Sequence, residues 1–143
     1  MKQLILLLGL ILNVHVCFSQ QYTSEDDKKA KDWGFDSLKP ADNYQLGLKK
    51  GQDDFVVRNF LQGYKYFICI KSQDGVKDVD AWLINKDDDT EIVGNTERGN
   101  KIVYFKFTPN YSRDVKIKVM NYDCDNPDNP YNFKIWVFYE NIN

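Results

Sequence analysis

The side chains able to carry chemistry fall into three groups. The first is acidic. Asp78 and Asp80 stand two apart with Asp74 upstream, Asp123, Asp125, Asn126 and Asp128 crowd a later stretch, and Asp87, Asp88 and Asp89 form a third run. A hard cation such as calcium takes several oxygen ligands of this kind. None of the clusters has EF-hand order, and Asp and Asn also gather in turns for backbone reasons. Asp78 and Asp80 are the candidate metal ligands. The second group is the pair of thiols, Cys69 and Cys124. The third is aromatic: Trp82, Tyr104 and Trp136 are the candidate ligand-binding residues, because exposed rings beside polar groups stack on sugars or anchor a protein partner.

Other chemistry is missing. The one histidine of the chain is His15, so the region beyond residue 19 has none. That removes Ser-His and Cys-His nucleophile pairs and imidazole zinc sites. There is no P-loop and no dinucleotide fingerprint. A glycosidase needs two acids at fixed spacing in a cleft, and no pair stands out among the turn carboxylates. The expectation is a protein that is not an enzyme. The formal charge of −2 argues against nucleic acid, which calls for a basic stripe.

The N-terminus reads as a signal peptide over residues 1–19. Lys2 supplies the positive start, Leu4 to Leu12 the apolar run, and Cys17-Phe18-Ser19 the small residues of a cleavage site after Ser19. The apolar run is shorter than the ~20 residues a membrane span requires, and no later segment approaches that length, so no membrane insertion is expected. The remaining chain, about 120 residues, is the size of one domain. The expected location is secreted or periplasmic. In such a compartment two cysteines most simply form one disulfide, closing a loop of roughly fifty residues and contributing about 4 kcal/mol. Two buried free thiols are the alternative.

These groups must be held by strands. Residues 20–50 are polar and weakly patterned, with Ser24-Glu25-Asp26-Asp27 placed to start a short helix to about Lys31 and a first strand near Tyr44, Leu46 and Leu48. From residue 51 onward, apolar residues alternate with polar ones: Phe55 and Val57, then Tyr64, Tyr66, Ile68 and Ile70, then Val79, Ala81 and Leu83. Ile92-Val93 makes a short return. Val103, Phe105 and Phe107, then Val115, Ile117 and Val119, then Tyr131 to Tyr139 complete the series. Turn signals every 8–12 residues between about eight strands predict an all-β sandwich over residues 51–143. If Tyr66, Ile68, Val79, Leu83, Phe105 and Ile135 point inward, then Phe67, Trp82, Tyr104 and Trp136 point outward. Those outer rings form a ligand face unless Trp33, Phe35 and the N-terminal segment cover them as a second small core.

The stretch from about Phe55 to Tyr139 resembles the bacterial pre-peptidase C-terminal domain. Leu61-Gln62-Gly63-Tyr64-Lys65-Tyr66 is similar to that family's Gly-then-Tyr strand start, and Asp78-Val79-Asp80-Ala81-Trp82-Leu83 to its Asp-x-Asp-Leu strand. Phe105-Lys106-Phe107-Thr108-Pro109 resembles its Phe-Thr-Pro turn, and Pro130-Tyr131-Asn132-Phe133 its closing strand. Cys69 and Cys124 occupy places similar to the cysteines of some secreted relatives. Arg113-Asp114 and Ala81 depart from the pattern. The resemblance implies a jelly-roll-like antiparallel β-sandwich, usually a non-catalytic companion of secreted enzymes, some members binding calcium or polymers. The functional expectation is a secreted binding or accessory module recognising a glycan or protein partner, with calcium as a possible stabilising ion. The alternatives are a structural calcium-binding domain without a dedicated ligand, or a small secreted enzyme inhibitor.

Overall fold

The structure is a computed structural model that describes residues 20–142. The expected signal peptide lies outside the described residues. One helix, α1 (Ser24–Asp32), precedes eight strands: β1 (Lys39–Leu48), β2 (Asp53–Phe60), β3 (Tyr64–Ser72), β4 (Val76–Asn85), β5 (Glu91–Asn95), β6 (Ile102–Phe107), β7 (Arg113–Cys124) and β8 (Tyr131–Asn141). The strands form two four-stranded sheets, ordered β1-β8-β3-β6 and β2-β7-β4-β5, and every pairing is antiparallel. This order, with every successive pair of strands except the β4–β5 hairpin changing sheet, is that of an eight-stranded jelly roll. The sandwich begins at Lys39 rather than at residue 51, because β1 pairs along its length with β8. Among the described residues no helix is long and apolar enough to cross a membrane.

The alternation fixes which side chains face inward. Tyr66, Ile68 and Ile70 of β3 meet Val79, Ala81 and Leu83 of β4, Phe105 of β6, Ile117 and Val119 of β7 and Ile135 of β8 in the interior. Phe60 closes one end, its ring edge-on to Tyr66 and Phe107.

A second core lies outside the β1-β8-β3-β6 sheet. Phe67 and Cys69, facing away from the interior, are buried with Ala30 and Phe35 under α1, and Trp33, Tyr104, Trp136 and Phe138 pack around them. The helix stops where Gly34 takes a positive φ of 84°, with Gly34 N donating to the Lys31 carbonyl and Phe35 N to that of Ala30. This reversal turns Phe35 back against Ala30. Lysines from the sheet satisfy the free carbonyls: Lys106 Nζ donates to Trp33 O and Lys65 Nζ to Gly34 O, both at 2.6 Å.

Asp26 anchors the helix. It is buried, forms an ion pair with the equally buried Lys71, and accepts from the Tyr104 hydroxyl at 2.6 Å and from Thr23 N at 2.6 Å. Lys71 also donates to Gln21 O. Burial pushes the Asp26 carboxyl upward, but donation from Lys71, Tyr104 and Thr23 outweighs it and holds the group below its ordinary range.

The expected disulfide is not formed: Cys69 and Cys124 are both free and buried. The reason is direction. Cys69 points out of its sheet into the cover of α1, its Sγ 3.8 Å from Asp26 Oδ1. Cys124 ends β7 in the other sheet, joins the interior core, and its Sγ is 3.5 Å from the Asn126 carbonyl. Burial and the neighbouring Asp26 charge push the Cys69 thiol pKa far up, so it is a poor nucleophile.

Two outcomes are expected. Asp26→Ala leaves Lys71 charged and unpaired, and should cost about 3–5 kcal/mol in urea denaturation. Because the folded pKa of Asp26 is depressed, its contribution is full above the usual carboxylate value of about 4 and is lost as pH falls through the depressed one. Acid titration should therefore weaken the wild type and leave the variant's stability comparatively flat over that window. Peptide mapping after alkylation should find Cys69 and Cys124 unlabelled in native protein and both labelled on unfolding without reductant. A mass consistent with a Cys69–Cys124 bridge would refute the free-thiol arrangement.

Candidate functional site

The two outer faces of the sandwich differ. That of the β1-β8-β3-β6 sheet is closed by residues 20–38, whereas that of the β2-β7-β4-β5 sheet carries no second layer among the described residues. On the open face the strands place side chains in rows. Phe55, Lys118 and Trp82 stand in register across β2, β7 and β4, and Val57, Lys116 and Ile84 form the next row. Phe55 and Val57 are 45% and 38% exposed, high for large apolar side chains on a strand. Neighbouring strands lie about 4.8 Å apart, so Phe55 and Trp82 stand roughly 10 Å apart with a lysine between them.

Trp82 has a specific seat. A Cβ at Gly94, the residue opposite it on β5, would lie 2.6 Å from Trp82 Cδ1 and 3.0 Å from Nε1. The five-membered ring of the indole therefore occupies the space above Gly94, held against the sheet. The Lys118 ammonium lies 5.6 Å from the Trp82 ring centre, and that of Lys116 is 5.1 Å from the Phe55 ring. Asp53 pairs with Lys118 and Asp89 with Lys116, and the Glu91 carboxylate also stands beside the Trp82 seat, 2.9 Å from the same Cβ position at Gly94. The face offers flat apolar rings, methyl groups and hydrogen-bonding ends.

The predicted ligand residues do not share a face. Trp82 lies on the open side. Tyr104 and Trp136 lie under the N-terminal segment, where Tyr104 bonds to Asp26 and Trp136 Nε1 donates to Gln20 O at 3.3 Å. Phe55 and Val57 alternate in the sequence like a core-facing pair, yet they point outward, and it is Val56 and Phe60 of β2 that pack on the interior. Gly94 is not legible in the sequence either, because nothing local marks a glycine as the seat of a ring on the next strand.

The predicted metal ligands sit at an irregularity of β4, where its register with β7 shifts on both sides of Asp78. Such a bulge re-aims side chains. Asp78 Oδ1 accepts from Gly99 N at 3.0 Å, and its Oδ2 is 3.4 Å from the Arg98 guanidinium, which lies over the Tyr122 ring. Asp80 is buried and its Oδ1 has no hydrogen-bond partner. Burial first, and the Asp78 charge second, raise the Asp80 pKa, with Arg98 opposing. Among the described residues no three His, Cys, Asp or Glu side chains converge on a metal-sized site. Arg98 already stands as the countercharge of Asp78, so these residues fit a calcium ion poorly unless it displaces the guanidinium.

No protein-family model matches the chain, and no curated protein matches it.

Asp80→Asn should raise the melting temperature by a few degrees at neutral pH in chelator. The raised carboxyl pKa means that ionised Asp80 opposes folding. The gain should accordingly shrink as pH falls toward the ordinary carboxylate value near 4. If calcium binds here, the sign reverses in its presence: the ion stabilises the wild type and not the variant.

Proposed function

We propose that this protein is an extracytoplasmic, non-catalytic binding module that lays an extended polysaccharide across the open β2-β7-β4-β5 face. The observation that carries the reading is the seating of Trp82 over Gly94 in a row with exposed Phe55. A sugar ring presents a face of C–H groups that packs on an aromatic ring, while its hydroxyls seek donors and acceptors at the edge. Two aromatics roughly 10 Å apart on a flat sheet meet successive parts of an extended chain, and Lys118 with Asp53 supplies polar contacts between them. The resemblance to pre-peptidase C-terminal domains agrees with an accessory role of this kind. A protein partner would be the other occupant of such a face.

The second reading is a structural domain stabilised by calcium. The orphaned Oδ1 of Asp80 favours it, and the Arg98–Asp78 contact opposes it.

The test is retention on a panel of insoluble polysaccharides, including cellulose, chitin and xylan. Trp82→Ala should lower retention about tenfold with little change in melting temperature. Gly94→Val should do the same without removing the ring: the backbone there does not need glycine's positive φ, so the added side chain acts by displacing Trp82 together with the Glu91 carboxylate beside it. Equal retention by the wild type and both variants would overturn the reading.

A further inference from the structure

The chain carries a second concave surface, at the seam where α1 meets the edge strand β6. A cleft of about 360 Å³ opens there between the helix and the loop joining β5 to β6. Trp33 from the helix and Tyr104 and Ile102 from β6 give it apolar walls. The Trp33 and Tyr104 rings meet edge to face, 6.3 Å apart, and the Lys29 ammonium lies 4.9 Å from the Trp33 ring centre. The loop contributes polar groups. Asn95 Oδ1 accepts from Asn100 Nδ2 at 3.1 Å and from Glu97 N at 3.3 Å, which fixes the loop's shape and sets both amides and the Glu97 carboxylate at the rim. The Tyr104 hydroxyl is committed to Asp26, so this residue offers the cleft its ring alone.

The composition selects a ligand class. A fatty ligand gains nothing from two amides and two charges. An anion would meet Lys29 but also Glu97, and a cation the reverse. Among the described residues no metal-sized group of ligands exists. A small neutral ring with one apolar face and several hydroxyls matches all of the walls, and the volume is at the small end of the roughly 300–1,000 Å³ usual for ligand pockets. We infer that the seam cleft binds a single sugar residue, through Trp33 and Ile102 on its apolar face and Asn95, Asn100 and Glu97 on its hydroxyls. The inference rests on the glycan reading of the open face and adds a separate site at the edge of the sandwich, where the end of β5 meets β6, suited to a chain end or a free monosaccharide. It also gives the N-terminal segment a part in binding, since Trp33 and Lys29 come from it.

The experiment is a titration of the protein with glucose, galactose, mannose, xylose and N-acetylglucosamine, read by amide NMR shifts. Side-chain amides of Asn95 and Asn100 and the Trp33 indole should shift saturably with at least one sugar. Asn100→Ala should weaken that binding about tenfold or more. Ile102→Trp, at a 38% exposed position, should block the cleft without touching either core. Phe55→Ala, which strips the open face on β2, away from the β5 end that lines the cleft, should leave the shifts intact. Saturable shifts in the cleft with no polysaccharide retention would support this inference and sink the open-face reading. Shifts confined to Phe55, Trp82 and Lys118, with Asn100 and Trp33 unmoved, would do the opposite. No saturable shift with any sugar, or equal shifts in the Ile102→Trp protein, would overturn the inference.

Discussion

The buried pair of Asp26 and Lys71 is the interaction on which the rest of this architecture turns. Two charges removed from water are costly, and they are tolerated because each is fully engaged: Asp26 by Lys71, Tyr104 and Thr23, Lys71 by Asp26 and Gln21 O. A misplaced helix would leave a charge buried without its partner. The pair thus sets the helix's place on the sheet more sharply than apolar packing does, since a buried charge parted from its partner costs more than a shifted apolar contact. Around this anchor the other contacts are consistent, with Lys65 and Lys106 reaching the carbonyls at the helix end and Gln20 O receiving Trp136.

Fixing the helix makes the sandwich asymmetric. A jelly roll has two outer faces, and alternation sends aromatic residues to both. On the β1-β8-β3-β6 side those aromatics become the lid of a second core, which turns β3 into a strand buried on both faces. On the other side Phe55, Val57 and Trp82 have no cover among the described residues. An aromatic seated over a glycine and left facing outward is a feature that core packing does not require. The seam at the edge of the lid is the other place where rings, amides and open volume coincide. Both candidate sites therefore follow from where the N-terminal segment lies and where it ends.

Much of the fold is legible in the chain. Tyr66, Ile68 and Ile70, or Val115, Ile117 and Val119, declare a strand and an inward face by period two, and the eight strands lie where that pattern puts them. The candidate site is less legible. Asp26 reads as an ordinary acid in a helix's first turn, and Lys71 as a solvated strand residue, because neither shows that it meets the other across 45 positions of sequence. Trp82 reads as outward-facing, but Gly94 beneath it does not read as its seat. Counting cysteines suggested a bond that direction forbids, since Cys69 and Cys124 leave their sheets toward different cores.

What the sequence determined by itself is what depends on near neighbours: strand periodicity, turn chemistry, the short helix after Thr23, and the absence of histidine chemistry beyond residue 19. These are set by backbone geometry and composition, which act over a few residues. What only the tertiary structure decided is pairing at a distance. It chose which outer face the helix covers, which lysine neutralises Asp26, that Arg98 rather than a third acid answers Asp78, and that Trp82 lies on the uncovered sheet while Tyr104 and Trp136 pack against the N-terminal segment. The reason is that alternation assigns a side chain to a face but not to a partner. Partners are chosen when two sheets and a helix compete for the same buried surface, and that competition is decided by the burial of charge and shape across the whole molecule.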